Sequence, residues 1–533
     1  MTQRRIKEEN MRTLPVTLSL LMLGSTALTA PALAQDLRIV EDPLELTIHM
    51  HWPRAQGYGV GGDTTQIYPV ELAAREMTGI SLVDQTAGKN TTDAAEAMNL
   101  LLAQGNMPDI VGGHLIQQPV NQYGPEGAFL PLNDLVKEHA PHIQAFWDSH
   151  PGLMEAISAY DGNYYYIPYL PDGEFGRAWY IRQDWLDKLG LEQPQTVDEY
   201  HDVLVAFRDQ DPNGNGKKDE IPYFARQWEE VNRLLTLWDA RSSGSDTYHD
   251  FYVNGDGKLV HPYAQEAYRV GLGHIADWYA EGLIDAEIFT RGSSSRDYLL
   301  SENLGGSTHD WFASTSGYNA ALADKIDGFN FIPFLPPASA AGVRMEEHRR
   351  IPIKPDGWAI SYMNEHPIET IKYFDFFFTE EGRNLSNFGV EGETWNMIDG
   401  QPVYTDAVLN SDSPVNSQMY LVGAQIYRGY WQDYRYEDQW TSEAAREGIA
   451  LYQANDLLID QFLGVAFNQE EQAVYDKYWP SLRTYMLERQ QAWILGSGDV
   501  DADWDDYIAT LNRMGYDQVI EVMNSAYARQ YGG

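Results

Sequence analysis

Leu44-Glu-Leu-Thr-Ile-His49, Ile80-Ser-Leu-Val83 and Asp109-Ile-Val111 are three short apolar stretches separated by two helix-like runs, 66–77 and 93–104. The first stretch is apolar at alternate positions, as a half-buried strand requires. The run 66–77 closes on Gly79, and the second run places Ala94, Ala97, Met98, Leu101 and Leu102 on one face before Gly105 ends it. Strand, helix, strand, helix, strand within roughly 70 residues predicts α/β architecture with a mainly parallel sheet.

Outward from this unit the character repeats without a fixed-period repeat, a low-complexity run or a long linker. Asp161-Gly162-Asn163 reads as a hairpin turn feeding a strand at 164–168. A strand at 178–181 runs into the helix carrying Trp185 and Leu186. Thr196 is positioned as the N-cap of a helix at 196–208, with Glu199 three residues on. Helices are expected at 231–240, 264–280 and 367–378, the last with proline at its first position, and strands at 329–334 and 358–361. The tail from Glu443 reads as helical and rich in Trp and Tyr. Two α/β lobes interleaved by crossovers account for this order better than independent domains.

The 533 residues include no cysteine, and 78 Asp+Glu outnumber 37 Lys+Arg to give a net charge of −41. Without cysteine there is no disulfide, thiolate metal site, cysteine nucleophile or cysteine-anchored lipid. The charge argues against nucleic acid and against adhesion to an anionic membrane. Residues 1–34 read as a secretory signal peptide: Arg4, Arg5, Lys7 and Arg12, an apolar stretch 14–28, then Ala32-Leu33-Ala34 before Gln35. Pro15, Ser19, Gly24, Ser25 and Thr26 interrupt that stretch and make it a poor membrane span. The expectation is export, in soluble form, to a periplasm.

One local motif carries metal chemistry. In Asp211-Pro-Asn-Gly-Asn-Gly-Lys-Lys-Asp-Glu220 the side-chain oxygens of Asp211, Asn213, Asn215, Asp219 and Glu220 fall at positions 1, 3, 5, 9 and 10. Lys217 can offer its carbonyl at position 7, and Gly216 allows the sharp turn at position 6. Ca2+ wants six to eight oxygens, and this spacing wraps them around one point. Position 12 is Pro222 rather than the glutamate of an EF-hand, so a structural ion is expected rather than a sensor. The alternative is a plain polar turn.

Other motifs are weaker. Gly57-Tyr-Gly-Val-Gly-Gly62 fits a dinucleotide fingerprint but lies too far beyond its strand, and reads as a loop at the mouth of a cleft. No G-x-S-x-G, H-E-x-x-H or phosphate-loop motif occurs. Aromatic excess is more informative: Trp52, Trp228, Trp311, Trp395 and Trp431 each have polar neighbours such as Arg54, Arg226, Asp310, Asn396 and Gln432. Sugar rings stack on flat indoles while their hydroxyls seek such groups, so the set suggests an aromatic-lined groove.

Several blocks carry a family likeness. Trp179-Tyr-Ile-Arg-Gln-Asp-Trp-Leu-Asp-Lys-Leu-Gly-Leu191, the 211–222 loop, Tyr279-Ala-Glu-Gly-Leu-Ile-Asp285, Gly389-Val-Glu-Gly-Glu-Thr-Trp395 and Trp504-Asp-Asp-Tyr507 span most of the chain. Together they resemble the extracellular solute-binding proteins of the family 1 type, and are most similar to the branch of alginate-oligosaccharide-binding and LplA-like proteins. The resemblance implies a two-lobe periplasmic binding protein fold of type II. Its N-terminal lobe would comprise 35–165 and 360–415, and its C-terminal lobe 166–359 and 416–533. It implies a monomeric, non-enzymatic binding component that delivers an oligosaccharide to a membrane ABC permease, and calcium held by Asp211, Asn213, Asn215, Lys217, Asp219 and Glu220. It places Trp228, Trp311, Trp431 and Trp52 as stacking residues; Arg54 and Trp395, read from the residues themselves, complete the expected ligand set. The missing lipid-attachment cysteine implies a protein free in the periplasm. A secreted glycoside-active enzyme using paired carboxylates and a peptide-binding protein on the same fold are the alternatives.

Overall fold

Pro69 starts the first helix, Pro69–Thr78, where its fixed φ suits an opening turn, and Gly79 ends it at φ 84°. The strand that follows, Ile80–Asp84, then returns beside Leu44–Met50 in parallel, Leu44 opposite Ile80. The helix Thr91–Gln104 makes the next crossover, and Ile110–Gly113 pairs in parallel on the other side of Leu44–Met50. The computed structural model describes residues 37–50, 68–86, 91–245, 249–411 and 413–532, and everything below concerns the unit Arg38–Gly533.

Two sheets organise that unit. The first runs Tyr430–Trp431, Ile167–Leu170, Gly357–Ile360, Ile110–Gly113, Leu44–Met50, Ile80–Asp84. The second runs Phe331–Phe334, Arg177–Arg182, Gly305–Trp311, Ile221–Tyr223. Each sheet has its own lobe, and the chain passes between them three times, at 171–176, 335–356 and 432–442. These crossings lie later than the expected borders at 165, 359 and 415 for two of the three passages. Ile167–Leu170 and Tyr430–Trp431 both pair into the first sheet, and Gly357–Ile360 joins it just before residue 360.

The second lobe is completed by the tail. Gln469–Ile494, opened by a capping box between Asn468 and Glu471, packs with Val500–Met514 and Tyr516–Tyr531. Trp479, Leu482, Met486 and Trp493 of the tail share one core with Trp179, Trp185, Tyr200 and Phe207. The expected helix at 231–240 forms as a tighter 3-10 segment, Trp228–Trp238, that starts three residues earlier.

Close packing explains one glycine in the first sheet. A Cβ on Gly357 would stand 2.2 Å from the Ile167 carbonyl oxygen, which no side chain tolerates. Gly357→Ala should therefore part Gly357–Ile360 from Ile167–Leu170, the strands that adjoin the second and first crossings, and cost about 1–3 kcal/mol. Urea unfolding checks this; an unchanged midpoint would show that the strands can separate freely at that point.

Candidate functional site

Two half-buried tryptophans flank the first crossing, one on each lobe. Trp311 ends the strand Gly305–Trp311, directly opposite Arg177, the first residue of its antiparallel neighbour. That register lays the Arg177 guanidinium 4.3 Å from the Trp311 ring centroid. Arg177 is buried and donates to Glu230 Oε1 at 3.0 Å. Asp310 accepts from Arg296 at 2.9 Å and Arg226 at 3.4 Å, and its Oδ1 also accepts the Trp311 N–H at 2.8 Å. Burial alone would raise the Glu230 pKa, but Arg177, Arg233 and Arg226 overcome it and hold the carboxyl below its ordinary value.

On the first lobe, Trp431 lies under Arg383, whose guanidinium carbon is 3.6 Å from the ring centroid. Its edge meets Phe146 at 5.2 Å and His150 at 6.3 Å. Arg383 also donates to the Gln432 carbonyl at 2.9 Å and lies 3.8 Å from Asp172, a residue of the first crossing. The two platforms thus share a construction: an indole covered by an arginine that is itself tied to an acid.

The remaining expected ligand residues fare differently. Trp228 is half-buried and starts the segment that supplies Glu230, but its ring packs on Phe289 at 5.5 Å. Trp395 is 4% exposed, donates from Nε1 to the Gly389 carbonyl at 3.0 Å and packs on Phe388. It is buried at the start of Trp395–Ile398, whose other three residues are exposed. Trp52, Arg54 and the Gly57–Gly62 motif lie outside the described residues. Sequence reading missed Arg383, Glu230 and Asp172, whose link to the indoles is made only by folding.

The 211–220 loop is coiled on itself. Asp211 Oδ1 and Oδ2 accept the Asn215 and Gly216 N–H groups at 3.0 and 2.9 Å, and Asp219 Oδ1 accepts the Asn213 and Asn215 amides at 3.2 and 2.9 Å. Gly214 and Gly216 take φ of 75° and 77°, which the tight winding demands. Glu220 is 6% exposed and its buried Oε2 has no hydrogen-bond partner. Burial raises its pKa, and Asp211 and Asp219 raise it further. An acceptor-rich loop around an unsatisfied buried carboxylate oxygen fits a hard cation.

Among the described residues, one trio of histidine and carboxylate ligand atoms lies within 4.8 Å: His309, Glu346 and His348. The carboxylates of the 211–220 loop are spread more widely. Glu346 accepts from His309 Nε2 at 3.0 Å and from His348 Nδ1 at 3.2 Å. The Arg233 guanidinium faces His348 Nε2, so that nitrogen is the acceptor and Nδ1 carries the proton. A metal would need that Nδ1 lone pair, so the trio is a hydrogen-bonded knot.

No helix among the described residues is long and apolar enough to cross a membrane. The chain matches no protein-family model. It is 47% identical to the alginate-binding protein AlgQ2, solved without calcium ion, with a TM-score of 0.81 over 92% of this chain and 99% of that one. It is 24% identical over 461 residues to the fructooligosaccharide ABC transporter substrate-binding protein FusA of Streptococcus pneumoniae, covering 82% of each chain. FusA has also been solved as an EF-hand mutant, with a TM-score of 0.68. The polygalacturonan/rhamnogalacturonan-binding protein YtcQ of Bacillus subtilis is 23% identical over 320 residues, 56% of this chain and 58% of that protein.

The tryptophans separate by experiment. Trp395→Ala should cost about 3–5 kcal/mol of stability, as truncation of a buried indole does. Trp311→Ala should stay within about 1 kcal/mol of the parent in the same urea titration. Equal losses would place Trp311 in the core.

Proposed function

This chain belongs to the extracellular solute-binding proteins that serve ABC importers, and on that premise we propose that it captures an acidic oligosaccharide between its two lobes. The observation that carries the reading is the pair of arginine-covered tryptophans on either side of the first crossing. Sugar rings stack on Trp311 and Trp431, and the partly exposed guanidinium of Arg383 pairs with carboxylates or hydroxyls. In a chain of net charge −41, three arginines surround two acids at the Trp311 platform, Arg177, Arg226 and Arg296 beside Glu230 and Asp310. That local balance supports an acidic ligand, as does the alginate binding of the 47% identical AlgQ2.

No chemical step is involved. The lobes close about the three crossings, and affinity reports the population of the closed form. The protein acts as a monomer, free in the periplasm because it has no cysteine to carry a lipid, and hands its ligand to the permease. Calcium sits in the 211–220 loop with the side-chain oxygens of Asp211, Asn213, Asn215, Asp219 and Glu220 and the Lys217 carbonyl as ligands, and steadies the second lobe rather than touching the sugar.

Differential scanning fluorimetry over neutral and uronic oligosaccharides tests the first claim. Uronic chains should raise the melting temperature without being cleaved, and Trp311→Ala or Trp431→Ala should remove most of that shift. Product formation would mean an enzyme, and shifts with peptides alone would mean a peptide carrier.

For the loop, EDTA should lower the melting temperature of the parent and leave Asp211→Ala unmoved. Binding requires Glu220 ionised, and its pKa in the metal-free loop is raised. Calcium affinity should therefore weaken as pH falls, starting at a higher pH than an ordinary glutamate of about 4.3 would give. A titration with flat affinity down to that value removes Glu220 from the ligand set.

A further inference from the structure

Three asparagine–glycine pairs occur in the chain, at 213–214, 215–216 and 254–255. In such a pair the glycine backbone nitrogen can attack the asparagine Cγ, because no Cβ obstructs the approach. The attack is favoured by a glycine N–H free to give up its proton, by donors that stabilise the oxyanion developing on Oδ1, and by an unheld Nδ2 that can leave. The fold treats the three pairs differently.

In the 211–220 loop both nucleophiles are held. The Gly214 N–H donates to the Asp211 carbonyl at 3.1 Å, and the Gly216 N–H to Asp211 Oδ2 at 2.9 Å. The leaving groups are held as well, since Asn213 and Asn215 direct Nδ2 to Asp219 Oδ1 at 3.2 and 2.9 Å. Each amide oxygen accepts one backbone N–H, that of Asn215 at 3.0 Å for Asn213 and that of Lys217 at 2.8 Å for Asn215.

Asn254 opens the turn that joins Tyr252–Val253 to Leu259–Val260. Its Oδ1 accepts two backbone N–H groups, those of Asp256 and Lys258, both at 3.0 Å. Two donors converging on one carbonyl oxygen have the form of an oxyanion hole. The backbone of Asn254 is fixed too: its N–H donates to the Lys258 carbonyl at 2.8 Å, and its carbonyl accepts the Gly257 N–H at 3.0 Å. Neither the Gly255 N–H nor Asn254 Nδ2 has a hydrogen-bond partner among the described residues. Gly255 is exposed, so water reaches the pair.

We propose that Asn254 is a site of self-modification, at which the chain closes a succinimide with Gly255. The Gly255 nitrogen gives its proton to water and bonds to Asn254 Cγ; the Cγ–Nδ2 bond breaks and Nδ2 leaves as ammonia. Water then opens the ring at either carbonyl, giving aspartate or, with the main chain rerouted through the former side chain, isoaspartate. No atom changes oxidation state, and water is the only co-reactant. Either product adds one negative charge to the hairpin, and isoaspartate also lengthens the main chain by a methylene. The strain reaches the last helix, because Leu259 donates to Asn524 Oδ1 and accepts from Asn524 Nδ2, both at 2.9 Å. None of this depends on which ligand the lobes hold.

Peptide mapping by mass spectrometry, on protein incubated at mildly alkaline pH with calcium present, tests this. Asn254 should convert to aspartate and isoaspartate about tenfold or more faster than Asn213 and Asn215. In urea, where all three pairs lose their hydrogen bonds, the rates should converge. A Cβ at Gly255 meets nothing within 4 Å, so Gly255→Ala should keep the parental melting curve while suppressing conversion at 254. Equal rates at the three sites in the folded protein, a difference that persists in urea, or parental conversion in Gly255→Ala would each overturn the proposal.

Discussion

Arg350 and Glu437 hold each other through two parallel hydrogen bonds of 2.8 and 2.6 Å, and each belongs to a different passage between the lobes. Burial works against the charge on Arg350, yet Glu437 more than offsets it and raises the arginine pKa. The third passage is joined to the first as well: Asp172 Oδ2 accepts the Tyr434 N–H at 3.0 Å, and its own N–H donates to Gln432 Oε1 at 3.3 Å. Gly173, at φ 97°, lets the Tyr434 ring come within 2.7 Å of where a Cβ would be. Three strands of chain are therefore bound as one joint between the lobes. Both tryptophan platforms stand beside this joint, so the geometry of one depends on the other.

What could be read in the sequence follows from how local its cause was. The βαβαβ unit was legible because Gly79 and Gly105 end elements through their own backbone preferences, although the first helix opens at Pro69 rather than at 66. The 211–220 loop was legible because its oxygens are neighbours in the chain. Lobe borders were not, since Ile167–Leu170 and Tyr430–Trp431 are short strands whose membership is decided by pairing with each other and with Gly357–Ile360. Polar neighbours accompany the half-buried Trp311 and Trp431 and also Trp395, which is buried at the start of a strand whose other three residues are exposed. No sequence window could join Arg383 to Trp431, or Arg177 to Trp311.

The knot of His309, Glu346, His348 and Arg233 illustrates a related point. Burial would drive the Glu346 pKa up, but both histidines donate to it and hold the carboxyl well below its ordinary range. A charged guanidinium then completes the chain, so the carboxylate of a cluster that could pass for a metal centre is satisfied by protons. In the loop at 211–220 the buried carboxylate of Glu220 instead has an oxygen left short of a partner.

The covered indoles have a consequence for traffic rather than for affinity. A bare tryptophan face is adhesive toward any apolar surface it meets. Arg383 lies over one face of Trp431, a cation–aromatic contact worth about 0.5–2 kcal/mol. A molecule that only stacked on that face would forfeit the contact and receive nothing in return. One that also offered an acceptor to the displaced guanidinium would recover the loss.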